Sequence, residues 1–138
     1  MENDRKEKGF TLVELMVVIL IVGILVSVVV PILRGRVQQA KWSEAVAMAD
    51  SISNAVRTCY AQDPAIAIAM IGSSANAHMG PLGFQEGGLS GRYFQADNFT
   101  IADIDGNGNA TITVTPPTGT GLSGKAQLDT TNGWVYTP

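Results

Sequence analysis

Between Phe10 and Leu33 lie 24 residues of which only Thr11, Glu14 and Ser27 are polar, and no charge follows Glu14 until Arg34. At 1.5 Å per residue a helix of that length is about 36 Å long, against about 30 Å for the hydrocarbon of a bilayer. The block is apolar all round, so the spacing predicts a helix that lies in lipid or among other apolar helices. About 105 residues remain beyond Leu33, enough for one modest sheet packed on a helix. A chain of 138 residues leaves little room for a multidomain enzyme.

Composition narrows the function classes. Charged residues make up 15%, well below the usual quarter, and the net charge is −3. A generic nucleic-acid binder would carry a basic face, so that class has no support. Cys59 is the one cysteine, which excludes an intrachain disulfide framework and any CxxC zinc or redox site. His78 is the one histidine, so no nucleophile–base pair or metal pair can be argued from it, and a surface role in a loop is expected. No enzyme activity is expected.

A secretory signal peptide needs a basic leader and a cleavage site just past a shorter apolar core. Residues 1–9 carry Arg5, Lys6 and Lys8 against Glu2, Asp4 and Glu7, a neutral sum. The nearest small-x-small sites, Ala45-Val46-Ala47 and Ala47-Met48-Ala49, lie beyond Lys41 and Trp42. An ordinary transmembrane anchor fits the length, but Arg34, Arg36 and Lys41 balance the three leader cations and leave orientation unset. Neither reading explains Glu14. A carboxylate inside a membrane helix costs several kcal/mol and is a functional residue by default.

The run Lys8-Gly9-Phe10-Thr11-Leu12-Val13-Glu14-Leu15-Met16 resembles the processing site of type IV prepilins and type II secretion pseudopilins. The resemblance implies a leader, residues 1–9, that a membrane aspartyl peptidase removes by cutting between Gly9 and Phe10, and a new amino terminus on Phe10 that is N-methylated. It implies that Glu14 meets the amino terminus of Phe10 on a neighbouring subunit. Gly23 and Pro31 fall where pilins commonly carry Gly and Pro in the first helix.

These assignments have physical reasons. Gly9 lets an extended backbone enter a tight cleft. Cleavage frees an α-amino group with a reference pKa of about 8, largely cationic at neutral pH. A carboxylate and an ammonium in low dielectric stabilise strongly only when both are present and aligned, so the pair sets register. Positions 10 and 14 are also one turn apart, which leaves an ion pair within one chain open. Pro31 lacks an N–H and clashes one turn back, so a kink or loosening near Ser27 is expected, with Gly23 as a second weak point; the alternative is that Pro31 marks the membrane exit.

Residues 34–62 read as a continuation of the helix. Ala45, Met48, Ile52, Ala55 and Cys59 recur at spacings of three and four, with Val56 alongside, and Pro64 stops the helix. The rod from Phe10 to Gln62 would then be about 80 Å long. Lys41 and Glu44 have the spacing of a weak ion pair. Cys59 reads as a buried inert thiol. Trp42 reads equally as an interfacial anchor and as a packing residue. Residues 63–92 are rich in Ala, Gly and Ser; length alone does not tell helix from strand at Ile66–Ile71. In pilins this region is the variable connection.

From 93 to 138 the signals are β. Asn98–Ile104, Ala110–Thr115, Lys125–Leu128 and Gly133–Thr137 read as strands, with Asn132-Gly133 as a turn and Pro116–Gly124 as a loop. The expected fold class is α+β: a long N-terminal helix, membrane-spanning then amphipathic, on a small antiparallel sheet of about four strands. Phe99, Ile101, Ile112, Val114, Leu128 and Trp134 should face the helix. Asp103, Asp105 and Asn107 alternate like the first half of a calcium loop, yet Val114 stands where the closing Glu belongs, and Asp-Gly and Asn-Gly are hairpin turns. Calcium is therefore the one cofactor weighed, and otherwise none is expected.

The resemblance implies a structural subunit: a homopolymeric helical filament, with prepilin peptidase, an inner-membrane platform and ATPase, and the lipid bilayer as partners. Its place would be the inner membrane as precursor and the cell surface as filament. The first alternative is a type II secretion pseudopilin in a periplasmic pseudopilus. The second, of another class, is a membrane-anchored, calcium-dependent binding module that keeps residues 1–9. A missing C-terminal Cys pair weakens adhesion, and nine aromatics in an acidic chain give no support to DNA binding or conduction.

Overall fold

A computed structural model of the chain describes residues 10–129 and 133–137. The leader, residues 130–132 and Pro138 lie outside the described residues, and with them Gly9 and the expected Asn132-Gly133 turn. Helix α1 spans Leu12–Gln62, and α2 spans Pro64–Ile68. Two short 3₁₀ turns follow at Ala75–His78 and Ala96–Asn98. The strands are β1 (Phe99–Ile104), β2 (Ala110–Val114), β3 (Lys125–Asp129) and β4 (Gly133–Thr137). They form one antiparallel sheet in the order β1-β2-β3-β4. The fold is α+β, as the pattern predicts.

The chain divides into two compact units, residues up to Val37 and residues from Gln38. In the first, every described residue is exposed, and the helix is long and apolar enough to cross a membrane. Nothing in its own unit covers it.

In the second unit, Ala45, Ala49, Ile52, Val56 and Cys59 of α1 are buried at spacings of four and three. The expected stripe is shifted: Met48 and Ala55 are half-buried flanks, and Ala49 and Val56 take the centre. Small Ala at 45 and 49 leaves room for Phe94 and Phe99, which are fully buried with ring centroids 6.1 Å apart. Phe99, Ile101, Ile112, Val114 and Leu128 are buried as expected, and Trp134 is partly buried against the core.

Strand β1 departs from a strict alternation. The register with β2 slips between Ile101 and Asp103, a bulge that brings Ile104 into the core beside Ala110. Its outer edge does not stay bare: Ile101 exchanges backbone hydrogen bonds with Gly72 and Ser73 at 2.8 and 3.0 Å. Phe94, expected in a β segment with Tyr93, is held instead beside a single bridge between Ser90 and Gln95.

The stretch around Ile66 is helical. Asp63 accepts from the N–H groups of Ala65 and Ile66, at 2.9 and 3.4 Å, and Pro64 takes the first helical position. Pro64 thus ends one helix and begins the next.

Candidate functional site

The site begins where the apolar helix begins. Thr11 stands one residue before Leu12, at the N-cap, and Glu14 is the third helical residue. The Thr11 amide donates to Glu14 Oε2 at 3.0 Å, and the Thr11 hydroxyl donates to the same oxygen at 2.9 Å. The Glu14 amide donates back to Thr11 Oγ1 at 3.2 Å. This is a reciprocal capping box, and it satisfies amides that a helix start leaves orphaned. The negative group also faces the positive end of the helix dipole. Within the chain, then, Glu14 meets Thr11. The Thr-x-x-Glu spacing at 11–14 is the sequence signal for such a box, and it escapes a reading that treats Glu14 only as half of an ion pair. Phe10 precedes the cap, non-helical and 87% exposed.

Gly23 and Pro31 both lie inside an unbroken helix. Pro31 offers no N–H to the Ser27 carbonyl one turn back, and the Ser27 hydroxyl donates to Ile24 O at 2.7 Å. The loosening expected between them is not a break in the single chain.

Asp103 lies in β1, opposite Thr111, and Asp105 and Asn107 fall on the turn between β1 and β2. The Asp105 carboxylate accepts from the amides of Asn107 and Asn109, both at 2.8 Å, and from Asn109 Nδ2 at 2.8 Å. The hydrogen bonds from Asn109, with smaller contributions from the Asn107 amide and the Arg57 charge, hold Asp105 below the usual carboxylate range. Asp103 Oδ1 accepts from the Ile104 amide at 2.9 Å. These carboxylates face N–H donors, where a cation would need converging oxygens. Among the described residues no cluster of three His, Cys, Asp or Glu could hold a metal ion. The turn joins β1 to β2 as a hairpin, its acidic side chains accepting from its own amides.

The turn is docked on α1. Arg57 donates to Asn109 Oδ1, and the Tyr60 hydroxyl donates to Gly106 O at 3.4 Å. Gly108 has φ +79°, and a Cβ there would meet Tyr60 Cδ1 at 2.8 Å, so both conformation and space require glycine.

Glu44 does not spend its carboxylate on Lys41. Its Oε1 accepts from the amides of Tyr93 and Phe94 at 2.8 and 3.0 Å. A Cβ on Gly91 would lie 2.8 Å from Glu44 Cδ. Lys41 donates instead to Thr120 O at 2.5 Å and lies 5.1 Å from the Tyr93 ring. Trp42 packs on Phe94, centroids 5.8 Å apart. Cys59 is a buried free thiol, as expected. His78 is not in an open loop: it is partly buried, and its Nε2 lies 2.7 Å from Ser73 Oγ. That hydroxyl donates to Met70 O at 2.5 Å. With its proton on a carbonyl, the serine is a structural bridge.

The family described as the prokaryotic N-terminal methylation motif matches residues 4–30. That segment resembles the prepilin processing region. It holds Gly9, Phe10, Thr11, Glu14 and Gly23, and Pro31 follows it by one residue. The chain is 42% identical to a fimbrial protein of Moraxella nonliquefaciens over 52 residues, 38% of this chain and 34% of that protein. It is 47% identical to type II secretion system core protein G of Escherichia coli over 56 residues, 41% of this chain and 39% of that one. It is 46% identical to a type IV major pilin protein of Neisseria gonorrhoeae over 54 residues, 39% and 33%. The chain thus spans between a third and two fifths of the length of the curated relatives it matches. No solved structure matches it. These three relatives are a fimbrial protein, a secretion-system core protein and a type IV pilin.

Proposed function

We propose that the chain is a structural subunit of a type IV pilus-like filament, a pilin and not an enzyme. The observation that carries the reading is the prepilin-like segment with the Glu14 carboxylate capped at the start of an apolar helix that its own unit leaves uncovered. The precursor rests in the inner membrane through residues 10–33. Prepilin peptidase cuts between Gly9 and Phe10 and the Phe10 amine is methylated, keeping its positive charge. Glu14 then meets the Phe10 amine of the neighbouring subunit as the helices bundle, driven by a membrane platform and its ATPase. A head-to-tail contact of this kind does not close on itself, so it propagates into a filament. Loosening of the helix between Gly23 and Pro31 belongs to the assembled state in this reading.

The capping box refines the role of Glu14. Thr11 keeps the carboxylate hydrogen-bonded while the subunit is alone, which lowers the cost of a charge near lipid. The Thr11 amide survives cleavage, so the box persists while the new cation arrives. Terminal mass spectrometry of the native protein tests the reading. The expected mature chain starts at N-methyl-Phe10, and a chain still beginning at Met1 overturns it.

The similarity to core protein G, as strong as that to the pilins, favours one second reading: a pseudopilin of a type II secretion system. Deleting the gene separates the two. Loss of surface filaments with secretion intact supports the pilin, and retention of exoproteins supports the pseudopilin.

A further inference from the structure

Eight residues of chain separate Leu33, the end of the apolar block, from Lys41, so Lys41 lies within about 28 Å of that end however the chain runs. In the unit that begins at Gln38, three segments meet at the start of its helical portion. Gln38 donates to Gly121 O at 3.2 Å and Lys41 to Thr120 O at 2.5 Å, tying down the 116–124 loop. Glu44 ties down the loop before β1 through the Tyr93 and Phe94 amides. The result is a mixed cationic and aromatic patch. Tyr93 is partly buried, with Lys41 Nζ 5.1 Å and Arg92 Cζ 5.7 Å from its ring centroid, and Trp42, next to Lys41 on α1, packs on Phe94. Arg92 itself is exposed. Glu44, which reaches the patch, is turned to backbone amides, so it does not neutralise the cations in a direct pair.

We propose that this patch, Lys41, Trp42, Arg92 and Tyr93, is an interaction surface for anionic phospholipid headgroups. Aromatic rings with polar edges and long cations on apolar stems are the side chains that settle at a bilayer interface. Tyr93 holds both cations beside its ring, and the Lys41 ammonium, which gives one proton to Thr120 O, keeps two further donors for phosphate. The loop carrying Arg92 therefore gives the globular unit a footing of its own on the membrane. The inference rests on the reading of residues 10–33 as membrane-inserted, and the test separates the two.

The full-length chain is reconstituted into vesicles of neutral phosphatidylcholine and into vesicles with about one third phosphatidylglycerol, and arginines are modified with phenylglyoxal. Reactivity of Arg92 is read against Arg57, an exposed arginine 16 residues beyond Lys41 on α1 and so about 24 Å away, outside the reach of surface charge at ordinary salt. The expected Arg92/Arg57 ratio falls about fivefold in the anionic vesicles and recovers in about 0.5 M salt. Lys41→Gln and Tyr93→Leu each reduce that protection. An equal ratio in both vesicles overturns the proposal, as does protection that follows protein-to-lipid ratio instead of lipid charge, which would assign the patch to a neighbouring copy. A chain that fails to float with either vesicle overturns the membrane reading and this inference with it; a chain that floats without charge-dependent protection overturns this inference alone.

Discussion

One helix serves two environments, and the contrast lies in which faces are apolar. From Leu12 to Leu33, α1 is apolar all round and exposed at every residue. From Ala45 to Cys59 it is apolar on one face only, and that face is fully covered by Phe94, Phe99 and the sheet. Backbone geometry is the same in both halves. A one-sided stripe can be satisfied within the chain, whereas an all-round surface must be satisfied by lipid or by other copies. The only acid in the first half is capped by Thr11, so even the exception to the apolar rule is handled locally.

Substitutions in each half sharpen this contrast. The largest expected effect is on assembly: if Glu14 meets the neighbouring Phe10 amine as proposed, Glu14→Ala should leave cleavage at Gly9 intact but lower the yield of sedimentable filament at least about tenfold, since it leaves that amine buried without a partner. Filament yield equal to the parent would remove the carboxylate from assembly. Next, Ile52→Ala in the covered half should destabilise the folded unit by about 3 kcal/mol, whereas Leu20→Ala in the exposed half should leave the melting of that unit unchanged. Chemical denaturation followed by circular dichroism reads both, and an equal loss in the two halves would break the comparison. Gly108→Ala should cost about 2 kcal/mol, because it meets both a left-handed backbone and the Tyr60 ring. The smallest effect belongs to Asp105. Its pKa is lowered in the fold, so the stability it adds is present above the ordinary carboxylate value and is lost as pH falls through the folded value. Thermal melts of Asp105→Asn should show a shallower acid loss than the parent; parallel curves would refute the role given to that carboxylate.

Much of the fold is legible in the sequence. Periodicity places the second half of α1, and three strand starts, Ala110, Lys125 and Gly133, fall where alternation puts them. The prepilin-type segment is readable because its chemistry is local. The features that alternation and periodicity miss arise from single residues outside the pattern or from partners far along the chain. The Ile66 segment is helical because of the Asp63-Pro64 cap that precedes it, and the apolar run itself carries no sign of that. The bulge after Ile101 inverts the inward residue, which no strict alternation foresees. Glu44 has the spacing of a helix-surface partner for Lys41, whereas the amides it accepts from lie about fifty residues away.

Those distances along the chain have a consequence for synthesis. Helix α1 can form as soon as it leaves the ribosome, but its covers arrive late: Glu44 waits for Tyr93 and Phe94, Arg57 for Asn109, and Lys41 for Thr120, separations of 49, 50, 52 and 79 residues. Until then the stripe from Ala45 to Cys59 is an open seam next to a segment with its own affinity for lipid. A nascent subunit is thus most at risk of sticking or premature pairing in the interval before its last two strands emerge, and any helper that attends it would be needed there.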